Sequence, residues 1–267
     1  MVDHAEAIAL TEGNLWTMWS QFGRGPQCAL IDEPELLRFE TPIAQAPYNA
    51  VLRSRLDQGV DEHIDAVLNA YAARNVPVVW IVHPSAQPAD LDRRLEARGL
   101  VEAEVCPGMI ADLEEVPTPD APPDGIEIAE VGPDAHDPFI ELVAFRYNLQ
   151  DDAVPVLRGV MQAVRFAHPD APTRGWIARR DGVVISKVVL HLGAGVAGIY
   201  GVATRPEARG LGLARSLILR ALDEARRLGL RTAVLHSTPM AVTLYKGIGF
   251  RTVADFRLYA LPDTLRL

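Results

Sequence analysis

The sequence has only two cysteines and no long apolar run. Cys28 and Cys106 are too few and too far apart in the chain for a disulfide framework or a metal knuckle, so buried free thiols are the simpler expectation. No segment approaches the ~20 consecutive apolar residues of a membrane span. The segment Met1–Glu6 is acidic and lacks the basic start of a signal peptide. We therefore expect a cytoplasmic protein with no membrane partner and no metal.

Positive charge is also scarce, above all in the first half. The 267 residues carry a net charge of −9. Residues 1–116 hold 19 acidic and 8 basic side chains, a net charge of −11, whereas residues 117–267 carry +2. A nucleic-acid binder needs Lys and Arg to neutralise phosphates, so we expect no nucleic-acid partner. The acidic half either aids solubility or steers a cationic substrate, and the charge alone favours neither.

A proline-rich segment divides the chain. Residues 117–124 contain four prolines and no apolar periodicity, which is typical of a linker. The chain is also longer than the commonest single domains of ~100–150 residues. We therefore predict an N-terminal domain over residues 1–116, a linker over 117–124 and a C-terminal domain over 125–267.

The C-terminal part alternates between strand and helix periodicity, which predicts an α+β domain with a mostly antiparallel sheet. The predicted strands that matter below are Gly198–Thr204, Arg231–His236 and Phe250–Leu261. The predicted helices are Asp134–Leu149, Pro155–Ala167, Arg209–Leu228 and Met240–Ile248. In the first half, Leu100–Leu113 is predicted to form a pair of strands around Pro107-Gly108.

The stretch Gly201–Ala214 connects a strand to a helix through a turn with two glycines. Pro206 ends the strand, and Gly210 and Gly212 let the main chain approach a ligand closely. Such a junction presents main-chain N–H groups beside the positive end of a helix dipole, where proteins bind phosphate. A nucleotide-binding loop is an alternative, but the stretch lacks the Lys-Ser/Thr of a P-loop and the glycine spacing of a dinucleotide site.

Two motifs resemble the GNAT superfamily of acyl-CoA-dependent N-acyltransferases. Residues 209–214 fit the pattern R-x-x-G-x-A, and Leu244–Phe250 is similar to the pattern L-Y-x-x-x-G-F. The resemblance covers residues 125–260 and implies that acetyl-CoA is the cosubstrate, with its pantetheine arm in a gap between the strands at 198–204 and 231–236. The implied cofactor-binding residues are Val202, Ala203, Thr204, Arg209, Gly210, Leu211, Gly212, Leu213, Ala214 and Arg215.

The resemblance also implies the catalytic groups. Tyr245 stands where the family keeps its general acid, and a phenol can donate a proton to a departing thiolate; the alternative is a core aromatic residue. A main-chain N–H near Val202 would face the thioester oxygen. Relatives often carry Glu or Asn where this chain has Gly201, so the base is unassigned. His191 and His236 are candidates, although a histidine at a strand end is more often only a satisfied polar group.

The first half resembles the later part of the second half in its element order, from Gln27 to Leu113. Its linker Asp57–Val60 has no arginine and no Gly-x-Gly, so it should bind CoA poorly. We therefore predict two GNAT-like domains, each with a mixed, mostly antiparallel central sheet flanked by helices, of which the first is a degenerate copy.

The predicted function is transfer of the acetyl group of acetyl-CoA to a primary amine of a small molecule or peptide, by direct attack on the thioester. The predicted helices Asp134–Leu149 and Pro155–Ala167, with the N-terminal domain, would shape the acceptor site. A non-catalytic acyl-CoA-binding sensor is the alternative, because the absence of a side chain at Gly201 is also what lost chemistry would leave.

Overall fold

The computed structural model describes residues 2–132, 136–166, 168 and 170–264. Within them the α-helices are α1 His4–Trp19, α2 Val60–Ala73, α3 Leu91–Glu96, α4 His136–Tyr147, α5 Ala153–Ala163, α6 Leu213–Arg227 and α7 Val242–Lys246. The strands are β1 Ala29–Asp32, β2 Leu36–Glu40, β3 Ala50–Ser54, β4 Val79–Val82, β5 Val101–Asp112, β6 Glu127–Glu130, β7 Thr173–Arg180, β8 Val183–Gly193, β9 Val196–Thr204, β10 Thr232–His236 and β11 Arg251–Ala260. None of the described helices is long and apolar enough to cross a lipid bilayer.

The strands pair in the order β1-β2-β3-β4-β11-β5-β10-β9-β8-β7-β6 and form one mixed sheet of 11 strands. The pairs β3–β4 and β9–β10 are parallel. Antiparallel pairs connect β1 to β2, β2 to β3, β4 to β11, β5 to β10 and β6 through β9. The predicted α+β class is confirmed. The prediction of a separate central sheet for each half is corrected, because the strands of both halves belong to one continuous sheet.

The chain folds into two compact units, and each takes segments from both halves of the sequence. Unit 1 consists of Met1–Asn14, Gly108–Gln150 and Arg165–Val253. Unit 2 consists of Leu15–Pro107, Asp151–Val164 and Ala254–Leu267. Helix α4 therefore belongs to unit 1 and α5 to unit 2. The predicted division of the chain into two domains joined by a linker at residues 117–124 stays a prediction.

Strand β5 is continuous, so the predicted pair of strands around Pro107-Gly108 is wrong. Proline ends a strand only where its missing N–H is needed by the ladder, and it can otherwise continue an extended chain. The division between the units falls at this dipeptide. In unit 1, residues 108–112 of β5 pair with β10, and in unit 2, residues 257–259 of β11 pair with β4. Each unit thus gains a strand from the other half, which satisfies main-chain groups that an open edge would expose.

The core of unit 1 lies between one face of its sheet and the apolar face of α6. The buried residues of α6 include six that recur at the helical spacing: Leu213, Leu217, Ile218, Ala221, Leu222 and Ala225. They pack with inward residues of β8, β9 and β10 such as Val188, Ile199 and Leu235. Each fully buried leucine of this kind contributes roughly 1.5–3 kcal/mol.

The helix at 134–149 begins, where described, at His136, and its predicted start at Asp134 lies outside the described residues. The predicted end of the next helix at Ala167 also lies outside them, and the observed α5 ends at Ala163.

Candidate active site

A gap opens between β9 and β10 in unit 1. The two parallel strands pair only at three positions, the last of which joins Ile199 to Leu235. Strand β10 ends one residue later, at His236, whereas β9 continues to Thr204 while paired with β8 on its other side. The main-chain groups of residues 200–204 on the β10 side are therefore available to an extended ligand, as an unpaired strand edge is. Val202, Ala203 and Thr204, three of the predicted cofactor residues, line this edge.

A β-bulge interrupts β9 where the gap opens. Lys187 of β8 faces Ala203, and Val189 faces Tyr200, so two residues of β9 stand opposite one of β8. One of the two is Gly201, whose φ of +54° lies in the left-handed region that favours glycine. The bulge changes the direction of the main chain between Gly201 and Val202.

The loop after β9 leads onto the N-terminus of α6. Its glycines, Gly210 and Gly212, have φ angles of +79° and +71°, and a Cβ on either would meet no atom within 4 Å. Backbone conformation therefore requires these glycines, and open space lies in front of them. Within the described part of the chain, the N–H groups of residues 210–215 donate to no main-chain acceptor. These amides and the helix dipole together suit a phosphate group.

The other predicted cofactor-binding residues of the loop and helix start differ in how far their side chains are exposed to solvent. Arg209 and Leu211 are exposed, so both side chains are free to contact a ligand. Leu213 is buried in the core and can offer a ligand only its main chain. Ala214 and Arg215 are partly buried, and Arg215 Nη1 donates to Gly247 O at 3.1 Å. This hydrogen bond connects the start of α6 to the residue that follows α7. Helix α7 carries Tyr245.

Tyr245 lies in α7 with only 7% of its surface exposed. Its ring meets that of Phe250 edge-on, with the centroids 6.0 Å apart. Burial raises the pKa of Tyr245 to about 12, so the phenol keeps its proton at neutral pH. The side chain can donate a hydrogen bond and cannot act as a base.

Comparison with known proteins bears on this arrangement. Residues 141–250, which hold the gap, the glycine loop and Tyr245, match the model of the acetyltransferase (GNAT) family. Over these residues the chain is therefore similar to that family. A comparison with the sequences of curated proteins found no match.

Solved GNAT structures share the fold over most of the chain. A GCN5-related N-acetyltransferase from Kribbella flavida is 16% identical with a TM-score of 0.68, over 93% of this chain and 94% of that chain. Another, from Sphaerobacter thermophilus, is 17% identical with a TM-score of 0.63, over 87% and 75%. A tandem GNAT protein from the clavulanic acid biosynthesis pathway is 15% identical with a TM-score of 0.61, over 92% and 86%. At these identities the likeness concerns the fold.

A largely buried polar cluster that the sequence did not predict lies beside the gap between β9 and β10. Tyr200 donates to Asn14 Oδ1 at 2.8 Å, and Asn14 Nδ2 donates to the carbonyls of Gly193 and Val196 at 2.9 and 3.2 Å. The ring of Tyr200 stacks on that of His236, with the centroids 6.4 Å apart. Asn14 comes from α1, more than 170 residues away in the chain, so local sequence patterns carry no signal for this contact.

His191 and His236, the two candidate bases of unit 1, are both held neutral. His191 Nδ1 is 2.9 Å from Thr173 Oγ1, and burial lowers the pKa of His191 to about 4. Burial also lowers the pKa of His236 to about 3, against the opposite influence of Glu12. Imidazoles that resist protonation so strongly are poor acceptors for the proton of an amine.

The sequence also did not predict a role for Lys187. Its side chain is buried, and its Nζ donates to Gly201 O at 2.6 Å. The signal for it was present, since Lys187 is the one charged residue in β8, which is largely apolar and includes Ile185, Val188 and Val189.

Unit 2 contains the other parallel strand pair, and its gap is closed by the chain itself. Strands β3 and β4 pair at two positions and then separate. Beyond that point Gln87 N–H donates to Ser54 O at 3.0 Å, and Leu56 N–H donates to Gln87 O at 3.1 Å. The side chain of His83 accepts a hydrogen bond from Ser54 N–H at 3.2 Å. The main chain of β3 thus already has the partners that an extended ligand would need.

Proposed function

We propose that this protein is an acetyl-CoA-dependent N-acetyltransferase that acts on a primary amine of a small molecule or peptide. One observation carries the proposal. In unit 1, an unpaired stretch of strand edge at residues 200–204 leads directly to a helix N-terminus whose amides at 210–215 lack main-chain acceptors. A ligand that combines an extended amide-bearing arm with a pyrophosphate fits this order of sites.

The proposed contacts divide according to the chemistry of the ligand. The main chain of Val202–Thr204 would pair with the amides of the pantetheine arm. The main-chain N–H groups of Gly210–Arg215 would hold the pyrophosphate, with the exposed Arg209 adding positive charge. Acetyl-CoA supplies an activated acetyl group as a thioester.

The transfer needs a donor for the thioester oxygen and a proton for the leaving sulfur. The amine nitrogen attacks the carbonyl carbon, a C–N bond forms and the C–S bond breaks. Val202 N–H would stabilise the negative charge that grows on the oxygen, and one such donor is commonly worth ~10²–10³ in rate. Tyr245 would donate a hydrogen bond to the departing sulfur, and the proton lost by the amine would reach the thiolate through water.

The amine's own proton would pass to water, or the acceptor would arrive neutral. Gly201 offers no side chain for this step, and the low pKa values of His191 and His236, about 4 and about 3, argue against either as the base. The acidic first half would favour a cationic amine, because residues 1–116 carry a net charge of −11.

We further propose a tandem arrangement in which unit 2 is a degenerate copy that does not bind CoA. The order β3-α2-β4-α3 in unit 2 repeats the order β9-α6-β10-α7 in unit 1. Two features of unit 2 support the loss of binding. Gln87 occupies the edge of β3, and the first turn of α2 carries the acidic Glu62, where a phosphate would be repelled.

Turnover with a panel of amines tests the proposed function. Purified protein is mixed with acetyl-CoA and each amine, and released CoA is measured with a thiol reagent. We expect thiol release that depends on at least one primary amine, with the acetylated amine as the second product. Acetyl-CoA binding without turnover on any amine would instead favour a sensor. Stabilisation by ATP or NAD, with none by CoA, would contradict the cofactor assignment.

A further inference from the structure

Lys187 is a buried lysine in a strand whose neighbours are apolar. It is 1% exposed, and the ring of Phe139 from α4 lies 5.0 Å from its Nζ. Removing an amine from water costs free energy unless a hydrogen bond compensates. Its Nζ donates to Gly201 O at 2.6 Å, on the β-bulge of β9. The lysine is therefore bound to the peptide group that precedes Val202.

The peptide between Gly201 and Val202 has a fixed internal geometry. In a planar trans peptide the C=O and the N–H point in opposite directions. Because the carbonyl of Gly201 points to Lys187 Nζ, the N–H of Val202 points away from that amine. Strand β10 and the gap lie on the edge of β9 opposite β8, the strand that carries Lys187.

We propose that Lys187 is a positioning residue of the acyl-transfer site, which fixes the Gly201–Val202 peptide so that Val202 N–H donates to the thioester oxygen. This inference rests on the function proposed above. It assigns to Lys187 a role that involves no contact with the substrate.

The bulge needs such a restraint because glycine rotates easily. Gly201 has a φ of +54°, and without a Cβ the peptide that follows it can turn at little cost. A Cβ at this position would lie 3.0 Å from Lys187 Nζ, so the amine occupies space that a side chain at residue 201 would need. The lysine and the glycine therefore fit each other.

The hydrogen bond does not depend on one charge state of the lysine. Burial and the nearby Arg146 of α4 lower the pKa of Lys187 to about 7. Both the ammonium and the neutral amine carry N–H donors, and the ammonium is the stronger donor. Donation to the carbonyl also polarises the peptide and strengthens Val202 N–H as a donor.

The first test uses the bound thioester itself, so it needs no known acceptor. Acetyl-CoA labelled with ¹³C at the acetyl carbonyl is bound to the wild type, to Lys187→Met and to Lys187→Arg. A hydrogen bond to the oxygen shifts the carbonyl resonance downfield. We expect the wild type to show this shift, Lys187→Met to lose most of it and Lys187→Arg, which keeps a donor, to recover part of it.

Lys246→Met is the matched control, because Lys246 is the other lysine of the sequence and is exposed on α7. It should keep the wild-type carbonyl shift. With an amine that turns over, Lys187→Met should lower kcat by ~10²-fold, the worth of one oxyanion donor, with little change in KM for acetyl-CoA. A folded Lys187→Met protein with the wild-type carbonyl shift and kcat would overturn the proposal. A wild type that binds no acetyl-CoA would overturn the proposed function instead.

If Lys187→Met does not fold, the wild type alone tests the contact. The ¹³C resonance of the Gly201 carbonyl and the amide proton of Val202 should titrate together with Lys187 Nζ near pH 7. The pKa values of His191 and His236, about 4 and about 3, lie well below that pH, so these two histidines do not confuse the signal. Titration of Nζ without any response at Gly201 and Val202 would overturn the proposal.

Discussion

Tyr245 combines two properties that usually exclude each other, since it is packed like a core residue and carries a chemically useful hydroxyl. Its pKa of about 12 lies above the ~8.5 of a model thiol. Full proton transfer from the phenol to the leaving thiolate is therefore unfavourable, and a hydrogen bond to the developing negative charge on sulfur supplies most of the benefit. The expected catalytic contribution accordingly lies at the low end of the range for general acids.

Tyr245→Phe should lower kcat by ~10²-fold, near the lower limit for the loss of a general acid. The phenyl ring keeps the packing against Phe250, so acetyl-CoA affinity should hardly change. Turnover and calorimetric binding of the purified variant measure the two quantities. Tyr71→Phe is the control, because Tyr71 is a buried tyrosine of unit 2 whose hydroxyl donates to Phe39 O. Wild-type turnover in Tyr245→Phe would leave the tyrosine with a packing role only.

Lys187 and Asn14 show what single residues contribute beyond their own segments. Asn14 reaches three strand-end carbonyls and the hydroxyl of Tyr200 from a helix near the N-terminus. Gly198 must lack a side chain because a Cβ there would come within 1.9 Å of Asn14 Oδ1. The side chains of Lys187 and Asn14 are both buried and hydrogen-bonded, as buried polar groups generally are.

At the scale of elements, the decisive unit is the sequence of β9, the glycine loop and α6. The predicted helix began at Arg209, but α6 begins at Leu213. The difference has a physical cause, since Gly210 and Gly212 adopt left-handed conformations that no helix continues. The four residues lost from the helix form the loop, and the amides of three of them, residues 210–212, lack main-chain acceptors.

Gly212→Asp should weaken acetyl-CoA binding by ~10²-fold or more, equivalent to ~3 kcal/mol. A carboxylate at the helix N-cap would occupy the open space in front of the loop and repel the pyrophosphate. Calorimetry measures the affinity, and thermal unfolding reports the stability. Gly182→Asp is the matched control, because Gly182 has a φ of +79° and open space around it but lies in the turn between β7 and β8. Equal affinity in the two variants would contradict the phosphate-loop assignment.

Strands β5 and β11 show a second effect at the scale of elements. Residues 108–112 and 257–259 both extend a sheet portion made mainly by the other half of the sequence. The sequence predicted strands at both places, but a strand pattern does not encode the partner. The Pro107-Gly108 dipeptide, which usually indicates a turn, lies instead inside a strand.

At the scale of the whole molecule, one chain contains two strand gaps of the same kind. The gap of unit 1 has free strand edge and free helix-start amides, whereas that of unit 2 is closed by Gln87. The proposed degeneracy of unit 2, first indicated by the acidic linker Asp57–Val60, thus has a second and independent support in main-chain hydrogen bonds.

The proposed arrangement predicts one CoA molecule per chain. Isothermal titration should give this stoichiometry for the wild type. Gly59 and Gly212 provide a matched pair, because each is the left-handed N-cap glycine of the helix after its strand. Gly59→Asp should leave both affinity and stoichiometry unchanged, whereas Gly212→Asp should remove binding at ordinary concentrations. Two sites per chain, or a loss of binding in Gly59→Asp, would show that unit 2 also takes CoA.

The sequence by itself determined the features that depend on neighbours in the chain. The strand, loop and helix around Gly201–Ala214, the apolar face of α6 and the motif at Leu244–Phe250 follow from local spacing and from the conformations that glycine and proline allow. The tertiary structure decided the rest. It decided the single sheet and the pairing of β5 with β10 and of β11 with β4. It also decided the contact of Lys187 with Gly201 and the hydrogen bonds of Asn14 to carbonyls 179 and 182 residues away. These contacts depend on which buried surfaces and polar groups meet in space, and no local pattern records that choice.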